Sequence, residues 1–277
     1  MLILKIELAS NYGFCFGVKR AIKMAENAKD ASTIGPLIHN NEEINRLKIN
    51  FNVKTLNGIN ELQDEKKVII RTHGIPKNDL EKLNASKIDV IDATCPFVTK
   101  PQQICEKMSQ DGYDIVIFGD ENHPEVKGVK SYANGNVFVI LEEEELENIK
   151  LSQKVAVVSQ TTRKVEKFMQ IVNYLISRVK EVRVFNTICN ATFENQEAVK
   201  NLSKKADVMI VIGGKNSSNT KQLYLIAKNF CEDSYLIESE NEINSEWFEG
   251  KQLCGVSAGA STPDWIIQKV INKIEKI

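Results

Sequence analysis

The chain has 277 residues, 42% of them hydrophobic, so it can bury a substantial core without disulfides or metals to support it. Its 36 Lys and Arg residues nearly balance 37 Asp and Glu residues, and the formal net charge is -1. This balance excludes a broad cationic surface, so we expect neither a nucleic acid nor a membrane as a partner.

The N-terminus and the cysteine content bear on the cellular compartment. The first stretch carries Lys5 and Glu7 within a short apolar segment, unlike a signal peptide, and no run approaches the ~20 apolar residues of a membrane span. The six cysteines are sparse and far apart, which favours reduced thiols over a disulfide framework. We therefore expect a cytoplasmic protein.

Apolar, β-branched runs recur along the chain and predict buried strands. In chain order they are VIIRTHG at 68–74, DIVIFGD at 114–120, KVAVVSQ at 154–160, DVMIVIGG at 207–214 and QLCGVSAG at 252–259. Helix-like segments alternate with them, among others at 18–29, 101–112 and 221–230. The alternation predicts an α/β fold with mostly parallel sheets, in which ligands collect beyond the carboxyl ends of the strands.

Three cysteines occur in matched contexts, each opening a helix-like stretch. They are Cys15 in GFCFGVKRAI, Cys95 in DATCPFVTK and Cys189 in NTICNATFENQ, separated by 80 and 94 residues. This rhythm predicts three similar α/β domains that bring the thiols to one centre. The domains are predicted at 13–95, 96–188 and 189–277, the last including an N-terminal strand within 1–12.

Three distant thiolates favour an iron-sulfur cluster over zinc, since no CxxC pair of the kind used by zinc ribbons and fingers occurs. A four-iron cluster with three cysteine ligands leaves one iron open to polarise a substrate oxygen. Zinc bound by three thiolates and a histidine remains the alternative, and a single cysteine is more often a small buried hydrophobe. The other three cysteines receive no role: Cys105, Cys231 and Cys254.

The three histidines of the chain follow strand-like runs and suit an oxyanion ligand. They are His39, His73 and His123. Each one alone is more often a structural residue than a ligand, but the shared setting favours anion binding or proton relay. GGKNSSNT at 213–220 ends a strand and opens a helix, so its amides, Ser217, Ser218 and Asn219 form either an anion site or an N-cap cluster. Neither a Walker A loop nor a GxGxxG motif is present, so no nucleotide or nicotinamide site is predicted.

A proton donor is predicted at Glu125, two residues after His123 and directly after Pro124. A carboxyl group enclosed beside histidines can have a raised pKa and act as a general acid. Helix N-terminal stabilisation after Pro124 is the alternative role. The hydroxyl of Thr161 in SQTTR is a second candidate near the substrate, with Thr162 beside it less favoured.

Together these motifs resemble the 4-hydroxy-3-methylbut-2-enyl diphosphate reductase family, known as IspH or LytB, of the non-mevalonate isoprenoid pathway. GFCFGV, THG, DATCP, NHPE, QTT, NTIC, SSN and AGAS occur in the family's order and span almost the whole chain. The resemblance implies a pseudo-threefold trefoil of three α/β domains around one [4Fe-4S] cluster held by Cys15, Cys95 and Cys189.

The resemblance also implies the roles of the remaining site residues. Glu125 and Thr161 match positions near the substrate hydroxyl, and the diphosphate contacts fall on His39, His73, His123, Ser217, Ser218, Asn219 and Ser261. The implied reaction places the substrate oxygen on the open iron, takes a proton from Glu125 and releases water. The allyl anion that results is protonated to give isopentenyl or dimethylallyl diphosphate.

The implied partners are the small allylic diphosphate substrate and an external electron donor of the ferredoxin or flavodoxin type. Another three-cysteine cluster enzyme such as quinolinate synthase, a non-catalytic redox or iron sensor, and a zinc-dependent hydrolase are the rival interpretations. Neither of the first two, which share the cluster, accounts for three histidines together with GGKNSSNT and Glu125.

Overall fold

The computed structural model describes residues 4–277. Its strands, in chain order, are β1 Lys5–Leu8, β2 Ala31–Ile34, β3 Val53–Leu56, β4 Lys67–Ile70, β5 Asp89–Asp92, β6 Asp114–Phe118, β7 Val137–Ile140, β8 Lys154–Ser159, β9 Glu181–Val184, β10 Val208–Ile212, β11 Ser234–Ile237 and β12 Leu253–Ala258. Its α-helices are α1 Phe16–Ala28, α2 Asn41–Phe51, α3 Lys77–Asn84, α4 Pro96–Gln110, α5 Pro124–Lys130, α6 Val165–Ile176, α7 Asn190–Ser203, α8 Ser218–Phe230 and α9 Asp264–Ile274. None of these described helices combines the length and the apolar composition needed to cross a membrane.

The strands form three four-stranded sheets in which every neighbouring pair is parallel. The strand orders are β1-β12-β10-β11, β3-β2-β4-β5 and β7-β6-β8-β9. The predicted mostly parallel α/β fold is therefore confirmed. The five apolar runs recognised in the sequence coincide with β4, β6, β8, β10 and β12. All five are inner strands, which helices cover on both faces in this kind of sheet.

The chain divides into two compact units. The first unit comprises the described residues up to Lys19, Ile38–Arg46 and Asn190–Ile277, and contains the sheet of β1, β12, β10 and β11. The second unit comprises Arg20–Leu37 and Leu47–Cys189 and contains the other two sheets. Each sheet takes its strands from one of the three segments predicted as domains, and the N-terminal strand joins the sheet of the third segment.

The core of each unit lies on both faces of its sheets. Along β10, Val208, Ile210 and Ile212 pack into one apolar cluster, whereas Met209 and Val211 pack into another on the opposite face. In the second unit, successive residues of β6 and β8 alternate between two clusters in the same way. This period of two is the geometry of an extended strand. Because apolar side chains occupy both faces of these strands, the polar residues lie in the segments that follow the strand ends.

Strand register brings the loops that follow neighbouring strands to the same edge of a sheet. Ile212 of β10 lies opposite Ala258 of β12, and Phe118 of β6 lies opposite Ser159 of β8. The polar segments that follow these residues therefore begin level with each other. Each sheet thus presents its candidate site residues along its carboxyl edge.

Candidate active site

In each of the three sheets, one edge strand leads to a candidate cluster ligand. β1, β5 and β9 are edge strands, and they end shortly before Cys15, Cys95 and Cys189, respectively. Each cysteine directly precedes the first residue of a helix, α1, α4 or α7. Because the start of a helix carries partial positive charge, this position favours a thiolate.

The backbone of each of these cysteines is tied to the loop that follows the adjacent inner strand. The N–H groups donate from Cys15 to Ala260 O (3.2 Å), from Cys95 to Thr72 O (3.0 Å) and from Cys189 to Thr161 O (3.0 Å). Those three loops carry Ser261, His73 and Thr161, all predicted as substrate contacts. The same arrangement of edge strand, cysteine and neighbouring loop therefore occurs once in every sheet.

The other three cysteines differ from this set in exposure. Cys15, Cys95 and Cys189 are partly exposed, whereas Cys105, Cys231 and Cys254 are buried. Burial raises the pKa of the Cys105 and Cys254 thiols to about 12, and it also raises the pKa of Cys231. Since the thiolate is the form that binds metal, the partly exposed set fits an iron-sulfur cluster and the buried set does not.

Glu125 lies in the first turn of α5 and is bound at both carboxylate oxygens by Thr161. The Thr161 N–H donates to Oε1 and the Thr161 hydroxyl donates to Oε2, each at 2.7 Å. The side chain is almost completely buried, since Glu125 is only 2% exposed. Burial raises the pKa of the Glu125 carboxyl, although the hydrogen bonds from Thr161 and the positive charge of Arg163 oppose the increase. A carboxyl of this kind can hold a proton and release it to a neighbouring group.

Two residues that flank the threonine pair were missed by sequence reasoning. Gln160 Oε1 accepts hydrogen bonds from the Asp120 N–H (3.0 Å) and from Arg163 Nε (3.2 Å). These donors fix the orientation of the amide and connect the loop after β6 to the loop after β8. The only sequence signal was the SQTTR motif itself, which contains both residues without indicating which atoms they contact.

His73 and His123, from two different sheets of the second unit, meet edge to face. Their ring centroids lie 5.4 Å apart with an interplanar angle of 80°. Nδ1 of His123 accepts the N–H of Glu125 at 3.2 Å, so a neutral His123 carries its ring proton on Nε2. An imidazole held in this tautomer presents an N–H donor, which suits an oxyanion.

In the first unit, Ser217, Ser218 and Asn219 form the transition from β10 to α8. Ser217 is the N-cap of the helix, and its hydroxyl accepts the Thr220 N–H at 3.3 Å. Asn219 is only 5% exposed, yet neither atom of its side-chain amide has a hydrogen-bond partner among the described residues. A buried amide without partners is costly, so it indicates a ligand with matching acceptors and donors. This observation favours the anion-site interpretation of GGKNSSNT over a simple N-cap cluster.

Ser261 and His39 are joined directly in the same unit. The Ser261 hydroxyl donates to the His39 carbonyl at 3.1 Å. The same carbonyl approaches Gly214 so closely that a Cβ atom at that position would collide with it. Only glycine allows this contact, which brings the His39 loop against the loop that carries Ser217.

The predicted site residues therefore fall into one group in each unit. The first unit holds Cys15, His39, Ser217, Ser218, Asn219 and Ser261, and the second holds Cys95, Cys189, His73, His123, Glu125 and Thr161. Within the second unit, the structure pairs Glu125 with Thr161 and His73 with His123. Within the first unit it joins His39 to Ser261 and packs His39 against the loop before α8.

Comparison with known proteins identifies the family. The family model described as LytB protein matches residues 6–275. The 4-hydroxy-3-methylbut-2-enyl diphosphate reductase of Campylobacter curvus is 82% identical over 99% of this chain and 100% of its own length. The protein of the same name from Campylobacter concisus is 79% identical, again over 99% of this chain and 100% of its own.

Solved structures agree with this assignment. A structure of (E)-4-hydroxy-3-methyl-but-2-enyl diphosphate reductase, described as the terminal enzyme of the non-mevalonate pathway, matches with a TM-score of 0.73 and 44% identity, covering 99% of this chain and 100% of that one. The E-1-hydroxy-2-methyl-but-2-enyl-4-diphosphate reductase of Plasmodium falciparum matches with a TM-score of 0.90 and 26% identity, covering 96% of this chain and 86% of that one. The resemblance predicted from the motifs is confirmed: the chain belongs to the LytB family, and the relatives named above are reductases.

Proposed function

We propose that this enzyme reduces 4-hydroxy-3-methylbut-2-enyl diphosphate to isopentenyl diphosphate and dimethylallyl diphosphate, the last step of the non-mevalonate pathway. The observation that carries the proposal is the 82% identity, across the whole length, to a relative with that name. The overall change consumes two electrons and two protons and releases the substrate hydroxyl as water. The residues described above divide this task among binding, proton transfer and cluster ligation.

The diphosphate is bound by imidazoles, hydroxyls and amides. The proposed set is His39, His73, His123, Ser217, Ser218, Asn219 and Ser261. Support comes from the buried Asn219 amide, which has no hydrogen-bond partner within residues 4–277, and from the tautomer of His123 that carries the proton on Nε2. Hydrogen bonds to a charged phosphate oxygen are stronger than those between neutral groups, so a few such donors suffice for tight binding.

One [4Fe-4S] cluster is held by Cys15, Cys95 and Cys189. The partial exposure of these three thiols, their positions before helices and the raised pKa values of the other three cysteines support this ligand set. When bound, a cluster with three protein ligands supplies electrons and one iron able to act as a Lewis acid.

Glu125 delivers a proton to the departing hydroxyl. Its raised pKa, caused by burial, keeps the acid form available closer to neutral pH than an exposed Glu would allow. Thr161 donates one hydrogen bond to each carboxylate oxygen of Glu125, which orients the acid. The Thr161 hydroxyl therefore lies beside the Glu125 carboxyl that transfers the proton. Arg163 limits the rise in the pKa of Glu125, which favours release of the proton to the substrate.

The electrons come from an external donor of the ferredoxin or flavodoxin type, and the enzyme works in the cytoplasm. Both statements rest on the sequence: it contains no nicotinamide or flavin motif, and its cysteine pattern suits a reducing compartment.

We also propose that the segments 13–95, 96–188 and 189–277, with 1–12, act as three structurally similar domains. Their support is that each supplies the strands of one sheet.

A matched pair of cysteine variants tests this function. Cys95→Ser removes a proposed ligand, whereas Cys105→Ser changes a buried thiol in the following helix, α4. Each version is expressed in a bacterial strain depleted of its own reductase, and iron is measured in the anaerobically purified protein. Wild type and Cys105→Ser should restore growth and retain iron, while Cys95→Ser should do neither. Restored growth with Cys95→Ser, or zinc in place of iron in the wild type, would contradict the proposal.

A further inference from the structure

Glu43 is a buried carboxylate to which the proposed reaction assigns no role. It lies in the first turn of α2 and is only 1% exposed. Its backbone N–H donates to Oδ1 of Asn40 at 3.0 Å, so Asn40 caps the helix. His39 immediately precedes this cap, so Glu43 follows a proposed diphosphate ligand by four residues in the sequence.

Two side chains bind the Glu43 carboxylate. Arg46 donates from Nε to Oε2 (2.9 Å) and from its terminal guanidinium nitrogen to Oε1 (2.6 Å). Trp265 donates from Nε1 to Oε2 at 2.9 Å. Arg46 lies on the same helix, whereas Trp265 is the second residue of α9. The carboxylate therefore joins the first turn of α2 to the first turn of α9.

Each of these helices directly follows a loop that carries a proposed diphosphate ligand. The loop before α2 contains His39, and the loop before α9 contains Ser261. The two loops are also joined where the Ser261 hydroxyl donates to the His39 carbonyl at 3.1 Å. The Glu43–Trp265 hydrogen bond is thus a second connection between the segments that carry His39 and Ser261. It joins the first turns of α2 and α9, which directly follow the two loops.

We propose that Glu43 is a positioning residue for diphosphate binding, which sets the spacing between His39 and Ser261 by holding Trp265. The inference rests on the proposed function, because it requires both loops to contact the diphosphate. A carboxylate is suited to the task, since two oxygens can accept from Arg46 and Trp265 together and both bonds are charge-assisted. Removal of the Glu43–Trp265 bond leaves the Ser261 hydroxyl bond to the His39 carbonyl between the two loops.

A purely structural role for Glu43 makes a different prediction. A buried ion pair that only stabilises the fold would alter the melting temperature, while the molecules that remain folded would bind diphosphate normally. A positioning residue changes the affinity of the folded protein and raises KM more than it lowers kcat.

The test compares Trp265→Phe with wild type and with Glu42→Gln. Trp265→Phe removes the Nε1–H donor but keeps an aromatic ring, and Glu43 retains Arg46, so the carboxylate is not left unpaired. Glu42→Gln removes an exposed charge from the same helical turn and serves as the control. Glu43→Gln is the conservative variant, because its amide oxygen can still accept from Trp265. Each holoenzyme is titrated calorimetrically with inorganic diphosphate, and its melting temperature, kcat and KM are recorded.

Trp265→Phe should weaken diphosphate binding about tenfold and raise KM by a similar factor, with kcat within about twofold of wild type. Glu43→Gln should lose less affinity, and Glu42→Gln should lose none. Diphosphate affinity within about twofold of wild type in folded Trp265→Phe would overturn the inference, whatever its melting temperature. Wild type that binds diphosphate but does not reduce the substrate would contradict only the proposed function. In that case the ratio of the diphosphate dissociation constants of Trp265→Phe and wild type would still decide the role of Glu43.

Discussion

Replacement of Thr161 by Val removes one hydroxyl and keeps nearly the same side-chain shape. In wild type that hydroxyl donates to Glu125 Oε2 at 2.7 Å, while the Thr161 N–H donates to Oε1 and is unaffected by the change. The bond stabilises the ionised carboxylate and so lowers the pKa of Glu125. A hydrogen bond to a charged group contributes about 1.5–3 kcal/mol, and one pKa unit corresponds to about 1.4 kcal/mol. In Thr161→Val the pKa of Glu125 should therefore rise by about one to two units.

This change is visible in the pH dependence of turnover. If Glu125 donates a proton, kcat falls as pH rises through its pKa, so the alkaline limb of the profile should move upward by about one to two pH units in Thr161→Val. Thr161→Ser keeps the hydroxyl and should retain the wild-type limb. The assay measures kcat from about pH 6 to about pH 10 with an excess of chemical reductant under argon. An alkaline limb in Thr161→Val within about 0.3 pH unit of wild type would refute the assignment of the proton to Glu125.

Three other substitutions follow from the same geometry. Glu125→Gln should bind substrate but lower kcat about 10²- to 10⁴-fold in single-turnover reduction by the pre-reduced variant, and a rate within about threefold of wild type would remove Glu125 from the mechanism. Because burial raises the pKa of Glu125, wild type loses stability as pH rises through that value, and Gln does not ionise. The melting temperature of Glu125→Gln minus that of wild type should thus be larger at pH 8 than at pH 5. An equal difference at the two pH values would contradict a raised pKa for Glu125. Asn219→Ala should not lower the melting temperature of ligand-free protein, since the amide has no hydrogen-bond partner in the described part of the chain, but should weaken diphosphate binding about tenfold in calorimetry. His73→Asn should weaken binding similarly without changing the absorption spectrum of the cluster, and unaltered affinity would exclude His73 from diphosphate binding.

Much of the fold could be predicted from the sequence because the inner strands of parallel sheets are apolar on both faces. Five of the strands, including β6 and β10, are continuous hydrophobic runs that no exposed segment would carry. The inner strand β2, ASTI, was missed since it is short and its buried middle residues are Ser32 and Thr33. Most edge strands were missed for a different reason: each has only four residues and is only partly buried, as in β9, where the first two residues of EVRV are half-buried and the last two are exposed.

The candidate site was predictable as a set of residues but not as a set of contacts. Motif order was enough to select Glu125 and Thr161, yet only the structure shows two hydrogen bonds between them. Residues 36 positions apart leave no periodic signal in a sequence, so the partner of a buried acid cannot be read from it. Glu43 illustrates the limit more strongly, because the bond to Trp265 links positions 222 residues apart and neither residue belongs to a recognised motif.

The proposed function is tested most simply by the conversion of 4-hydroxy-3-methylbut-2-enyl diphosphate by purified protein under anaerobic conditions. The wild-type chain, carrying about four iron atoms per polypeptide and supplied with a strong reductant, should form isopentenyl and dimethylallyl diphosphate with one substrate consumed per two electrons. Cys95→Ser should form neither product, and Cys105→Ser should behave like wild type. Iron-loaded wild-type protein that binds the substrate and leaves it unreduced would contradict the assignment of this chain as a 4-hydroxy-3-methylbut-2-enyl diphosphate reductase.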